Sequence, residues 1–248
     1  MLRDKIFEFA AEKGCIAGIC DALPLGEGRR LNPALHFRGA QSIIVLGKPY
    51  KTSPFFNLSS LAFGRDYHHE LGGILEEMKR LTGGGLAMVD NGALEEKPFA
   101  VKAGLGFLGK NGLVISREFG SFFNIGLLVV DVALEASHEA EGACPEGCRL
   151  CAEACPGEVC VSLLTQKKGD LAGEDLGGQL YGCDLCQICC PFNNIAPPSK
   201  EMPPEEILAM DEAAFAERFG HTAMAWRGLA HLQRNAKLLL GKSSSGMH

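Results

Sequence analysis

The chain has no uninterrupted run of about eighteen apolar residues, the least that a membrane-crossing helix needs. Its opening segment, MLRDKIFEFAAEKG, alternates charges with apolar residues at helical spacing, which is not the pattern of a secretory signal. Positive charge is also in deficit. Twenty-four Lys and Arg stand against 30 Asp and Glu, a formal net charge of −6, so no overall basic field draws in nucleic acid or an anionic membrane. These absences predict a cytoplasmic protein with no membrane partner. With 46% hydrophobic and 22% charged residues in 248, the chain can bury one large core or one core plus a small module.

What the sequence has in plenty is cysteine. There are eleven, an odd number, and nine fall between Cys144 and Cys190. Without a secretory signal a disulfide framework is not expected, and clustered cysteines in a reducing compartment read as metal thiolates. Cys15 and Cys20, alone in the apolar run CIAGIC, read as small buried hydrophobes.

Helical and extended patterns alternate over the first 135 residues or so. Helices are predicted at 2–13, where Gly14 stops the pattern, at 66–81 with the stripe Leu71, Ile74, Leu75, Met78 and Leu81, and at 93–103 with Pro98 in its first turn. CIAGIC (15–20), SIIVLG (42–47), the run ending at Asp90, GLVIS (112–116) and FFNIGLLVVDVAL (122–134) read as strands. Interleaving of this kind predicts an α/β or α+β layer domain. From about 140 the composition shifts to Cys, Gly, Pro and Glu, too poor in apolar residues to form its own core. After Pro197-Pro198 helical patterning returns in PPEEILAM, in DEAAFAERF with Asp211 as N-cap, and over 227–240, while SSSG near the end reads as disordered.

Spacing carries the chemistry. Cys144-x3-Cys148-x2-Cys151-x3-Cys155-Pro156 is close to the bacterial ferredoxin run, in which three cysteines ligate one cubane and the fourth, before proline, ligates another. Cys183-x2-Cys186-x3-Cys190-Pro191 repeats the ending of that motif, and Cys160 can supply its missing member. The crossing rule then assigns Cys144, Cys148, Cys151 and Cys190 to one [4Fe–4S] cluster, and Cys155, Cys160, Cys183 and Cys186 to a second. Cys189 is the competing ligand, because Cys183-x2-Cys186-x2-Cys189 also has ferredoxin spacing. A pair of structural zinc sites, each built from four cysteines, is the alternative chemistry, and the repeated C-x3-C-P endings argue against it.

Other strings are weaker. GLGFLG (104–109) matches G-x-G-x-x-G, but it follows a helix and precedes a strand, the wrong order for a dinucleotide loop. GKNG (109–112) does not continue a P-loop, because Asn follows the lysine. By pattern alone Asp90, before Asn91-Gly92, is an Asx-turn residue, GRDYHH (64–69) is a capped and solvated helix start, and Trp226 is a core residue.

The segment VDNGALEEKPFAVKAGLGFLGKNGLVIS resembles the active-site stretch of the epoxyqueuosine reductases, relatives of the corrinoid reductive dehalogenases. CVSLLTQKKG, YGCDLCQICCPFN, GRDYHHELGGILEEMKRL, SIIVLGKPY, LAMDEAAFAERFG and LQRNAKLLLG extend the resemblance over most of the chain. It implies an α+β fold: a nitroreductase-like layer domain over 1–138, a ferredoxin-like module with two [4Fe–4S] clusters over 139–200, and a helical segment over 201–248 that packs back on the core. It implies a cobalamin held base-off, electrons passed to it through the clusters from an external low-potential donor of flavodoxin or ferredoxin type, and Asp90 as proton donor to the substrate. Ser162, Arg30 of the R-x-x-P string ending at Pro33, Lys110, Asn111 and Asp184 fall on positions near the cofactors.

The chain also departs from the family pattern. The first cysteine gap holds three residues rather than two, only four residues separate Cys155 from Cys160, and Asn-Gly follows Asp90. The pattern after the tail does not predict a helical-repeat segment of the kind the family uses to hold tRNA. With a net charge of −6 as well, a nucleoside or other small molecule is the expected substrate ahead of tRNA.

Overall fold

A computed structural model describes residues 1–90, 92–171 and 173–243. Asn91 of the expected turn and all but the first residue of the SSSG run therefore lie outside the described residues. The chain divides into two compact units, Met1–Pro49 with Tyr67–Cys148, and Tyr50–Asp66 with Arg149–His248.

The first unit is built on a sheet of β1 (Ile16–Asp21), β2 (Ser42–Pro49), β6 (Phe123–Val130) and β3 (Leu86–Val89), in that spatial order, with every pairing antiparallel. The interleaved elements thus form an α+β layer. Both faces of this sheet are buried, which is why β2 and β6 read as continuous apolar runs rather than alternating ones. On one face Ile44, Leu46, Leu128 and Val130 meet Ile6 and Ala10 of α1 (Leu2–Glu12) and Leu71, Leu75 and Met78 of α2 (Tyr67–Thr82). Each of these larger side chains contributes about 1.5–3 kcal/mol by leaving water. Leu81 stays exposed and Thr82 is buried in its place, because the i, i+3 and i, i+4 face through Leu71, Leu75 and Met78 continues at 82.

On the other face Ile43, Val45, Leu127 and Val129 pack on Phe99, Ala100 and Ala103, within and just after α3 (Glu96–Lys102). Helix α3 passes so near β1 that a Cβ on Gly18 would stand 2.0 Å from the Ala103 carbonyl oxygen. The glycine-rich string after α3 forms a hairpin of β4 (Phe107–Leu108) and β5 (Val114–Ile115). A Cβ on Gly106 would lie 2.2 Å from Ile115 O, so this glycine serves strand pairing rather than a phosphate.

In the second unit α4 (Leu150–Glu153), α5 (Val161–Gln166) and α6 (Leu185–Ile188) are short, and α7 (Pro204–Ala209), α8 (Glu212–Phe219) and α9 (Leu229–Ser243) supply the apolar mass. Ile207, Phe215, Phe219, Leu232 and Ala236 enclose Leu58, Leu180 and Met202. Asp211 caps α8 as its sequence indicates, accepting from Ala214 N at 2.8 Å. Residues 50–66 are held in this unit by the buried Asn57 amide, which donates to Met202 O and accepts from Met202 N, both at 2.9 Å. Trp226 is not a core residue: it is 59% exposed, with the Arg227 guanidinium 3.6 Å from its ring centroid. Position 226 lies in a one-turn 3-10 segment between α8 and α9, outside either helix's apolar stripe.

Candidate functional site

Asp90 follows the last residue of β3 and adopts φ 59°, the left-handed region that non-glycine residues enter at a cost of about 1–3 kcal/mol. Its carbonyl accepts from Gly92 N at 2.7 Å. The tight turn directs its carboxylate toward the first turn of α2, where His68 Nε2 stands 3.3 Å from Asp90 Oδ2. His68 is in turn stacked on Tyr67, with ring centroids 4.1 Å apart. Both members of the pair are open to solvent, with side chains 36% exposed for His68 and 46% for Asp90.

A second carboxyl lies beside this turn. Glu96 opens α3, and its Oε1 is shielded from solvent with no hydrogen-bond partner. Burial pushes the Glu96 carboxyl up to about 7, and the charge of Asp90 adds to that, while main-chain hydrogen bonds at Glu96 and Asp90 and the charge of Arg30 pull the other way. Arg30 is exposed on a one-turn 3-10 segment, and its carbonyl accepts from Glu95 N at 2.9 Å, which ties that segment to the start of α3.

In the hairpin turn, Lys110 N donates to Cys144 Sγ at 3.4 Å, and its ammonium donates to the carbonyls of Cys148 at 3.0 Å and Pro145 at 3.4 Å. Lys110 therefore holds the first two cysteines of the run to the hairpin. Asn111 Oδ1 accepts from Leu113 N at 3.2 Å, closing the same turn.

The other seven cysteines of the cluster lie in the second unit, five of them (Cys151, Cys155, Cys186, Cys189 and Cys190) on two turns of the same construction. Leu150-Cys151-x-x-x-Cys155-Pro156 and Leu185-Cys186-x-x-x-Cys190-Pro191 each form a single helical turn. Ala154 N bonds to Leu150 O and Cys189 N to Leu185 O. Cys155 N bonds to Ala152 O and Cys190 N to Gln187 O. The equivalence pairs Cys190 with Cys155 and sets Cys189 where the first turn has Ala154. Burial raises the Cys183 thiol, with the charges of Cys160 and Cys155 adding, and pushes Cys186 up to about 12, with Cys183, Cys160 and Cys189 adding. Cys155, Cys160, Cys183 and Cys186 are thus close enough for their thiolates to repel one another, a donor set that a cationic centre would relieve. Among the described residues no three His, Cys, Asp or Glu side chains already converge on a metal-ion position.

Asp184 anchors the second turn. Its Oδ1 accepts from Ser59 Oγ at 2.8 Å and from Gln187 Nε2 at 3.2 Å, and its Oδ2 accepts from Ser60 N at 2.6 Å. Tyr50, hydrogen-bonded to Gln187, has its hydroxyl raised by burial and by the charge of Asp184. Ser162 sits in the first turn of α5, behind Cys160, and its hydroxyl accepts from Gln166 Nε2 at 3.3 Å.

No family model matches the chain. The epoxyqueuosine reductase of Lactococcus garvieae is 33% identical, over 87% of this chain and 73% of its own length. The chain belongs to the epoxyqueuosine reductase family. As a member it is an oxidoreductase. An epoxyqueuosine reductase solved with an epoxyqueuosine-modified tRNA-Tyr stem-loop superposes with a TM-score of 0.83 at 26% identity, over 96% of this chain and 80% of its own. A Bacillus subtilis epoxyqueuosine reductase, solved with an aspartate-bearing catalytic loop swung out of its active site, superposes with a TM-score of 0.82 at 25% identity, over 99% of this chain and 82% of its own.

Measured against the family-derived expectations, the fold brings Asp90 to the end of β3 and Arg30 to the neighbourhood of Glu96, while Lys110 is engaged with the cysteine loop. Sequence patterns do not single out His68 or Glu96. His68 stands inside GRDYHH, which reads as a solvated helix start, and Glu96 inside LEEK, which has the look of an exposed one. Ser59 and Ser60 carry no sequence signal at all, because their partner Asp184 is about 125 positions away. Among the described residues no helix is long and apolar enough to cross a membrane.

Proposed function

We propose that this chain reduces epoxyqueuosine, removing the epoxide oxygen to leave the alkene of queuosine. The reaction takes up two electrons and two protons and releases water. The observation that carries this reading is the Asp90 turn in a member of this family: a carboxylate held in a strained backbone conformation at a strand end, paired with an imidazole. A plain electron carrier has no use for such a pair.

Two [4Fe–4S] clusters would supply one-electron transfer, and a corrinoid, when bound, would supply a low-potential cobalt that delivers both electrons to the substrate. All eight cysteines fit the clusters by donor type, and Cys155, Cys160, Cys183 and Cys186 fit by neighbourhood as well. We assign Cys155, Cys160, Cys183 and Cys186 to one, and Cys144, Cys148, Cys151 and Cys190 to the other, all within a ferredoxin-like module over 139–200. For the corrinoid the support is the family resemblance, with Arg30, Asn111 and Ser162 as candidate contacts.

The chain's own residues have clear tasks in this reading. Asp90 gives a proton to the oxygen as its carbon–oxygen bond breaks, a role worth about 10²- to 10⁴-fold for a positioned acid. His68 orients the Asp90 carboxyl and connects it to solvent. Lys110 keeps the Cys144–Cys148 loop against the hairpin, and Asp184 keeps the Cys183–Cys186 turn rigid. Electrons come from an external low-potential donor of flavodoxin or ferredoxin type.

The stem-loop bound by a relative supports tRNA as the substrate, with the free nucleoside as the second candidate. Protein purified anaerobically, loaded with iron, sulfide and cobalamin and reduced, should convert an epoxyqueuosine stem-loop to a product lighter by one oxygen. Absence of product from both the stem-loop and the nucleoside, with clusters intact, would overturn the proposal.

A further inference from the structure

We infer that Glu96 is a second proton-carrying group for the same reaction, stored behind the Asp90 turn and delivering its proton through Asp90. The inference rests on the reading of Asp90 as the acid. Deoxygenating an epoxide consumes two protons, and a buried second carboxyl supplies the second one without an intervening exchange with solvent.

The geometry is that of a reserve. Glu96 Oε1 is shielded from solvent and has no hydrogen-bond partner, whereas a carboxylate built for structure would have its oxygens satisfied. The Glu96 carboxyl lies within reach of the Asp90 main chain and of its charge, both of which act on it, so the two acids belong to one electrostatic neighbourhood. Glu95 N on Arg30 O fixes the helix start from the other side. The charged groups that act on Glu96 are Asp90, which favours the protonated form, and Arg30, which opposes it. Burial outweighs both and brings the carboxyl to about 7, where a proton can leave and return at neutral pH.

The steps balance. Asp90 gives the first proton to the epoxide oxygen as one carbon–oxygen bond breaks. Its new negative charge acts on Glu96, and the two coupled carboxyls share the remaining proton. That proton passes to Asp90 and then to the oxygen, which leaves as water as the second carbon–oxygen bond breaks and the alkene forms. Both electrons come from the external one-electron donor. The pair reloads from solvent through His68, which is exposed. Glu96 is a positioning and relay residue, since it acts through Asp90.

The test measures Glu96→Gln and Glu96→Asp beside Asp90→Asn, in cluster- and cobalamin-loaded protein with an epoxyqueuosine stem-loop, across about pH 5.5 to 8.5. Infrared titration of the protonated-carboxyl C=O stretch in the wild type and in Glu96→Gln supplies a readout independent of turnover. For the wild type we expect kcat to fall as pH rises through about 7, with a carboxyl band that fades over the same range. Glu96→Gln should lose that band and that limb, with kcat down about tenfold or more and KM unchanged, and Glu96→Asp should recover part of the loss. A wild-type rate and pH profile in Glu96→Gln, or no carboxyl band titrating near neutrality in the wild type, overturns the relay. If Asp90→Asn is also fully active, the failure is that of the Asp90 assignment itself. If Asp90→Asn is inactive while Glu96→Gln behaves as wild type, the relay alone is overturned.

Discussion

His68 Nε2 lies 3.3 Å from Asp90 Oδ2, joining the first turn of α2 to the end of β3 across 22 positions of sequence. The contact gives the Asp90 carboxylate one defined direction and a route for protons to solvent. Replacing His68 by Ala should lower kcat about tenfold with little change in KM, because the partner orients the acid rather than binding substrate. Steady-state kinetics on the stem-loop check this.

Asp90 should separate activity from stability. Asn tolerates the left-handed region at least as well as Asp, whereas Ala does not. Asp90→Asn should therefore unfold at wild-type denaturant concentration while losing turnover, and Asp90→Ala should lose turnover and also about 1 kcal/mol of stability.

Glu96 sets a pH dependence of stability. Its folded-state value of about 7 lies above its ordinary 4.5, so the folded chain binds more protons than the unfolded chain between those limits. The stabilising contribution is fully present below about 4.5 and is lost as pH rises through about 7. Chemical denaturation of the wild type from about pH 5 to 8 should show this decline, and Glu96→Gln should remove its share of the slope.

Asp184 is the anchor of the second cysteine turn. Asp184→Ala would leave the Ser60 N–H and Ser59 hydroxyl buried without an acceptor, at about 1–3 kcal/mol for each. Denaturation should show a loss of that order, and iron content after anaerobic purification should drop. Cys189→Ser should retain about eight irons per chain, as two cubane clusters require, while Cys190→Ser should not.

Much of this architecture can be read from residue patterns. Buried strands show as apolar runs, α2 as a stripe, and the two cysteine turns as a repeated spacing. The antiparallel order of the sheet cannot be read, because strands covered on both faces carry no alternation to mark direction or partner. Residues 50–66 join the second unit through the Asn57 and Ser59 side chains and the Ser60 main-chain N–H, whose partners lie more than a hundred positions away. Local composition carries no trace of such contacts. Trp226 goes the other way, since a large apolar residue outside a helical stripe can stay at the surface. As a candidate acid Asp90 is suggested only by family resemblance, and its strain at φ 59° is a property of the folded backbone that residue patterns do not carry.

The most direct test of the account is single-turnover reduction of an epoxyqueuosine stem-loop by wild type and Asp90→Asn, matched for iron, sulfide and cobalamin content. The account predicts that the variant binds the stem-loop and accepts electrons as the wild type does, yet forms queuosine at least about a hundredfold more slowly. Queuosine formed by Asp90→Asn at the wild-type rate would contradict it.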